Sequence, residues 1–266
     1  MKILICGDVV GKAGREVILN NIPELRKNQN IDFVIVNGEN SASGFGITGK
    51  ICQIFYDNGV DVITSGNHVW DQKEILSHIE KDKRLLRPSN YPNTTPGRSY
   101  GIYKSNSGLN IAVINVMCRL FMEPLDDPFN SLEKILEEIK HNFNKIIIIV
   151  DVHGEATSEK MALGHFLDGK VTAVVGTHTH VPTADLQILE YGTFFQTDLG
   201  MCGDYDSVVG MNKNISITKF RNKHIKIRHS PAEGKASLCG VLLDVDATKF
   251  KVKSFKQIII GGRLRN

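Results

Sequence analysis

Ile146-Ile147-Ile148-Ile149-Val150-Asp151-Val152-His153-Gly154 decides the fold: an unbroken apolar run that ends close to a side chain able to hold a metal. A strand that is apolar at consecutive positions is buried on both faces, the condition of a parallel sheet covered by helices. Upstream, Ser131 stands where an N-cap would stand, and Leu132, Ile135, Leu136 and Ile139 recur behind it at helical spacing. Downstream, a further helix and strand end at Gly176. Strand, crossover helix and strand in alternation predict an α/β fold.

The same alternation runs toward the N-terminus. Ile3 to Cys6 reads as a buried strand, and Val17, Ile18, Ile22 and Leu25 follow as a helix that Pro23 is expected to kink or shorten. Phe33 to Val36 is the second strand. A helix around Ile51 to Tyr56 stops at Asn58-Gly59, and Val60 to Thr64 is the third. Residues 88–98 read as a loop leading to strands around Tyr100 and Ile111 to Val116, joined by a turn at Ser105-Asn106-Ser107-Gly108. From Asp185 onward the texture changes to short β-type runs: Leu186 to Leu189, Thr193 to Gln196, Ile215 to Phe220, Ile225 to Arg228, Leu238 to Asp244 and Phe250 to Phe255. These predict a second, mostly antiparallel sheet built from the C-terminal third. A chain of 266 residues of this class is expected to form one undivided domain, residues 1–266.

A content of 23% charged and 41% hydrophobic residues excludes a disordered or fibrous chain. The net charge of +3 is too small for a general nucleic-acid or membrane footprint, and Lys223, Lys226, Arg228, Arg263 and Arg265 read as solvated surface. Five cysteines without C-x-x-C spacing argue against a disulfide framework and a thiolate zinc site. No apolar stretch reaches signal-peptide or membrane-span length, so a cytoplasmic protein with no membrane partner is expected.

Five apolar runs each lead into a short segment bearing metal-ligand side chains. Asp8 follows the first, Glu39-Asn40 the second, Asn67-His68 the third, His153 the run quoted above, and His178 with His180 the run Val171 to Val175. Sites in open α/β sheets form beyond the carboxyl ends of strands, so these segments are expected to converge. Carboxylate, amide oxygen and imidazole together suit manganese, iron or zinc better than an all-oxygen site would. His178 and His180, two apart, would point opposite ways on extended backbone, which favours two ions with one of these histidines each. A carboxylate such as Glu39 could bridge such a pair.

These segments, Gly7-Asp8, Asn37-Gly38-Glu39-Asn40, Ser65-Gly66-Asn67-His68, Val152-His153-Gly154-Glu155 and Gly176-Thr177-His178-Thr179-His180, resemble the successive motifs of the calcineurin-like binuclear metallophosphoesterases. The likeness extends over nearly the whole chain and is greatest to the YmdB-like branch. The general superfamily has histidine where this chain has Val10 and a bridging aspartate where it has Glu39; in the YmdB-like branch Asn40 supplies the missing ligand. The resemblance implies two central mixed sheets flanked by helices, a four-layer α-β-β-α sandwich. It implies one ion held by Asp8, Glu39, Asn40 and His180, and another by Glu39, Asn67, His153 and His178, with iron or manganese the usual ions and zinc or magnesium compatible. His68 would be the general acid rather than a ligand. The substrates implied are small phosphodiesters, 2',3'-cyclic nucleotides foremost, opened at the 2' side by water activated at the ions to leave 3'-nucleotides. RNA ends and a homo-oligomeric state are compatible with the likeness.

Each residue alone has a plainer reading. Asp8 could be a helix N-cap, Glu39-Asn40 an Asx-type loop, Asn67 a turn residue, and His153 and His180 hydrogen-bonded structural histidines. His68 could simply pack against Trp70. His78, His141, His165, His224 and His229 lie outside the motifs and read as surface or structural. Asp198, Gly200, Met201, Gly203 and Asp204 suit either a mobile loop beside the site or a plain turn. A dinucleotide-binding unit is a poor rival, because Val9 stands where the second fingerprint glycine must let backbone approach a pyrophosphate. A regulator that keeps its metals but turns nothing over is compatible with the same motifs.

Overall fold

Burial along the first strand sets the layers. In β1 (Lys2–Val9), Ile3 and Ile5 project to one face and Leu4 and Cys6 to the other, and all four are buried. The computed structural model describes residues 1–222 and 224–264. β1 leads through α1 (Gly11–Asn28), β2 (Phe33–Asn37), α2 (Gly49–Asp57), β3 (Val62–Thr64) and α3 (Ile75–Ile79) to the hairpin of β4 (Tyr100–Lys104) and β5 (Asn110–Met117). Then come α4 (Pro128–Asn142), β6 (Ile147–His153), α5 (Thr157–Leu167) and β7 (Ala173–Thr177). The short strands β8 (Gln187–Ile188), β9 (Phe194–Gln196) and β10 (Met201–Asp204) lead through α6 (Lys213–Arg221) to the long pair β11 (Ala236–Val245) and β12 (Val252–Ile260).

Two mixed six-stranded sheets result. One has the order β12-β11-β10-β1-β2-β3 and the other β4-β5-β6-β7-β9-β8. β1, β2 and β3 are parallel, as are β5, β6, β7 and β9. The sheets bury one face against each other: Ile3, Ile5, Phe33 and Ile35 of the first meet Ile111, Val113, Ile147 and Ile149 of the second. The outer face of the first sheet packs on Ile18, Ile22 and Phe55 of α1 and α2. The outer face of the second packs on Leu132, Leu136 and Leu163 of α4 and α5. Both faces of the central strands are therefore covered, which is why their sequences lack alternation. Each such side chain contributes about 1.5–3 kcal/mol on burial. The four-layer α-β-β-α expectation holds.

Several local expectations do not. Among the described residues the C-terminal third forms no sheet of its own: β8 and β9 complete the second sheet, while β10, β11 and β12 complete the first. Ile215 to Phe220, whose β-branched alternation predicts a strand, lies within α6, because the Asn212 side chain accepts from Asn214 N and Ile215 N and caps a helix there. Ile225 to Arg228 is not a strand. The cap of α4 is Asp127, which accepts from Phe129 N and Asn130 N with Pro128 at the first helical position, and not Ser131, which bonds Ser89. α1 is not shortened by Pro23; it runs on to Asn28. The stretch from Asp198 to Asp204 is buried and largely strand rather than a loop or surface turn. Among the basic residues, Lys226, Arg228 and Arg263 are exposed, and Lys223 and Arg265 lie outside the described residues. All five cysteines are free and buried. Among the described residues no helix is long and apolar enough to cross a membrane.

Candidate metal centre

The carboxyl ends of β1, β2, β3, β6 and β7 bring all eight singled-out side chains to one place. Asp8 sits near the end of β1, Glu39 and Asn40 follow β2, Asn67 and His68 follow β3, His153 closes β6, and His178 and His180 follow β7. Asp8, Glu39, Asn40, His153 and His180 are buried, while Asn67, His68 and His178 are half-buried.

His153 is the hub. Its Nε2 lies 3.1 Å from Glu39 Oε1, 3.1 Å from Asn67 Oδ1 and 3.0 Å from His178 Nδ1. One ring N–H cannot serve three lone-pair donors well. Ligand atoms about 2.1 Å from a shared ion at right angles stand about 3.0 Å apart, so the spacing fits the edges of a coordination shell. On the far side of the ring, Nδ1 is 2.9 Å from Thr177 Oγ1, whose hydroxyl donates to Asp151 Oδ1 at 2.7 Å. The Thr177 oxygen thus accepts from Nδ1–H, and Nε2 is the nitrogen aimed at the cluster. Gly66 is required beside it, since a Cβ there would collide with the His153 ring and the Glu39 carboxylate.

A second group adjoins the first. His180 Nε2 is 3.3 Å from Asn40 Oδ1 and 3.9 Å from Asp8 Oδ1, and its Nδ1 lies 2.8 Å from the Val209 carbonyl. Asp8 Oδ2 accepts from His178 N at 3.1 Å, but Asp8 Oδ1 is buried with no hydrogen-bond partner. An orphaned carboxylate oxygen is costly in the interior, and a cation is the group that fits it. His178 and His180 both have positive φ, 100° and 65°. The backbone is therefore kinked rather than extended, and left-handed turns, not strand alternation, send the two rings to different groups.

The electrostatics carry the same signature. Burial pushes the Asp8 carboxyl up to about 7 against the pull of His180 and His153. Burial works to raise Glu39 too, but the charge and hydrogen bond of His153 hold it at about 2. Burial works to lower His153, and Glu39 outweighs it to give about 9. Burial and then His153 depress His178 to about 3. A divalent cation among these groups would offset the burial penalty on Asp8 and let both carboxylates ionise together.

Several contributors escape a motif reading. His68 N donates to Glu39 Oε2 at 3.2 Å, and its Nδ1 is 2.8 Å from Asp71 Oδ2. The His68 ring meets Phe45 edge-on at 5.1 Å, whereas Trp70 packs on Tyr91. Asp71, three residues on from His68, is the signal that could have named this pair. Beneath the His178–His180 turn, Lys160 Nζ donates to Thr177 O at 2.7 Å and Asp198 Oδ2 at 2.8 Å. Asp198 also accepts from Thr179 N, Thr179 Oγ1 and Gly200 N. Lys160 shares the inner face of α5 with Leu163 and Leu167, an unusual place for lysine that sequence spacing does reveal. His229, which reads as surface or structural, lines the cavity that opens from the centre.

This buried network supports a prediction. Lys160→Met is expected to destabilise the fold by about 3–5 kcal/mol, because it strands Asp198 as an uncompensated buried charge. Thermal unfolding should fall by about 10 °C for a chain of this size. A double variant, Lys160→Met with Asp198→Leu, should recover much of that loss; equal melting of wild type and the single variant would remove the pair from the account.

Two mixed sheets packed face to face, with a carboxylate, amide and imidazole cluster at the carboxyl ends of their strands, define a metallophosphoesterase-like fold. Comparison with known proteins narrows the class. A family model described as YmdB-like protein matches residues 4–258, and the chain belongs to that family. A 2',3'-cyclic-nucleotide 2'-phosphodiesterase of Bacillus subtilis (strain 168) is 45% identical over 261 residues, 98% of this chain and 97% of that one. The crystal structure of a hypothetical protein from Thermus thermophilus superposes with a TM-score of 0.91 at 37% identity, covering 99% of this chain and 100% of that one. A novel phosphatase from Mycoplasma pneumoniae superposes with a TM-score of 0.90 at 36% identity, covering 98% and 93%.

Proposed function

We propose that this protein is a metal-dependent phosphodiesterase that hydrolyses 2',3'-cyclic nucleotides, opening the 2' side to release 3'-nucleotides. The observation that carries the metal dependence is the crowding of Glu39, Asn67 and His178 about His153 Nε2 beside the orphaned Asp8 Oδ1. The substrate class rests on the activity for which the Bacillus subtilis relative is named.

Asp8, Glu39, Asn40 and His180 would hold one ion, and Glu39, Asn67, His153 and His178 the other; iron or manganese suits this mixed donor set. Bound there, the pair supplies an acidified water and neutralises charge on the phosphoryl oxygens. The protein's own side chains do the rest. Thr177 and Asp151 fix the His153 tautomer, and the Val209 carbonyl turns His180 Nε2 inward. His68, steered by Asp71, protonates the departing ribose oxygen, a role suited to an imidazole at neutral pH.

The support shell makes its own prediction. Thr177→Val removes the acceptor for His153 Nδ1–H and is expected to weaken metal retention about 10–100-fold, read by chelator competition. An unchanged chelator profile would take Thr177 out of the design. The function itself is tested by incubating the protein with 2',3'-cyclic AMP and separating the products. Release of 3'-AMP is expected; exclusive release of 2'-AMP would contradict the regiochemistry, and absence of turnover with metal retained would favour a regulatory protein.

A further inference from the structure

The metal cluster opens into a cavity of about 420 Å³, larger than a phosphate needs and of a size that suits a small organic ligand. Its floor is polar: Glu39, Asn40, His68, His178 and His180. Its outer wall is apolar, made by Phe45, Val209, Met211 and Phe220. Hydrolysis of a phosphodiester bond requires no such wall, so it answers to another part of the ligand.

The wall is presented deliberately by the chain. Val209 has φ +46° and is exposed, with its carbonyl already engaged by His180, so one residue ties the wall to the metal cluster. Ser216 and Phe220 lie four apart on α6 and so share the helix face that lines the cavity. Phe220 is 77% exposed, so its ring face is open to a ligand. The segment after α6 folds back, with Asn212 N bonded to Ser230 O and Ala232 N to Gly210 O, and this brings His229 into the lining. Nδ1 of His229 is buried and without a hydrogen-bond partner. A flat aromatic face, an aliphatic surround and the half-buried imidazole of His229 together match a planar heterocycle with polar edges.

We infer that this wall is the nucleobase subsite: the base of a cyclic mononucleotide stacks on Phe220 and is hydrogen-bonded at its edge by His229, while the cyclic phosphate lies at the metal cluster. The inference rests on the proposed phosphodiesterase reading and adds the part of the substrate that sets affinity. Base-on-aromatic stacking tolerates every base because each has a π face, so the subsite selects nucleotides over other phosphodiesters more than one base over another.

The test compares 2',3'-cyclic AMP with 1-O-methylribose 2',3'-cyclic phosphate, which has the same reacting ring and no base. Wild-type enzyme is expected to prefer the nucleotide by about tenfold or more in kcat/KM. Phe220→Ala should cut that preference about tenfold through KM for the nucleotide, and His229→Gln should lower it less. Equal wild-type rates on the two substrates would overturn the subsite while leaving the phosphodiesterase reading intact. So would an undiminished preference in both variants. Turnover of neither substrate by metal-loaded wild type would defeat the phosphodiesterase reading and the subsite with it.

Discussion

Replacing Glu39 by alanine is expected to lower kcat/KM on 2',3'-cyclic AMP by on the order of 10³-fold or more and to reduce bound metal. Glu39 adjoins both halves of the cluster. Its Oε1 faces His153, its Oε2 accepts from His68 N, and its charge is felt at Asp8. Removing it also takes away the group that holds the His153 pKa near 9, so the hub loses both partner and field. Glu39→Gln is the sharper variant, since it keeps shape and an oxygen ligand while deleting the negative charge. It should retain more metal than Glu39→Ala yet recover little activity. Near-native rates and metal content in both variants would mean that Glu39 is a structural loop residue, as its sequence context alone suggests.

The second large effect separates proton transfer from metal binding. His68→Ala is expected to lower kcat by about 10²–10⁴-fold with bound metal unchanged, because the role proposed for the imidazole is to serve the leaving group and no ion. The loss should shrink on a p-nitrophenyl phosphodiester, whose leaving group departs without protonation. Asp71→Asn, which leaves His68 in place but removes its carboxylate partner at 2.8 Å, should cost about tenfold in kcat. Equal losses on good and poor leaving groups would assign His68 to substrate positioning instead.

Much of this was legible in the sequence because two-sided burial leaves a strong trace. Ile146 to Val150 and Ile3 to Cys6 are apolar at every position, and although they lie in different sheets, the side chains that follow them meet at the carboxyl ends of the two packed sheets. The C-terminal third was less legible. β10, β11 and β12 join a sheet begun at residue 2, and no local pattern says that a late strand will pair with the first one. α6 was hidden for a different reason: Ile215, Ser216, Ile217 and Thr218 alternate like a strand, and only the Asn212 cap reverses that reading. Since α6 carries Phe220, the misread helix also concealed the cavity wall.

At the site, the motif residues stood out by type, while their supports did not. Thr177 and Asp151 act by touching other side chains across the sheet, and residue type alone cannot announce a contact of that kind. The His178–His180 pair is instructive. Spacing assigned them separate destinations by assuming extended backbone, but their left-handed conformations, stabilised beneath by Lys160 and Asp198, are what turn the rings apart.

The central claim is that two cations complete this cluster, and the most direct measurement is metal content per chain by elemental analysis, coupled to turnover of 2',3'-cyclic AMP before chelation, after it, and after resupply of manganese or iron. Close to two equivalents per chain, with activity lost on chelation and restored on resupply, is the predicted result. Undiminished hydrolysis by protein carrying only trace metal would contradict it.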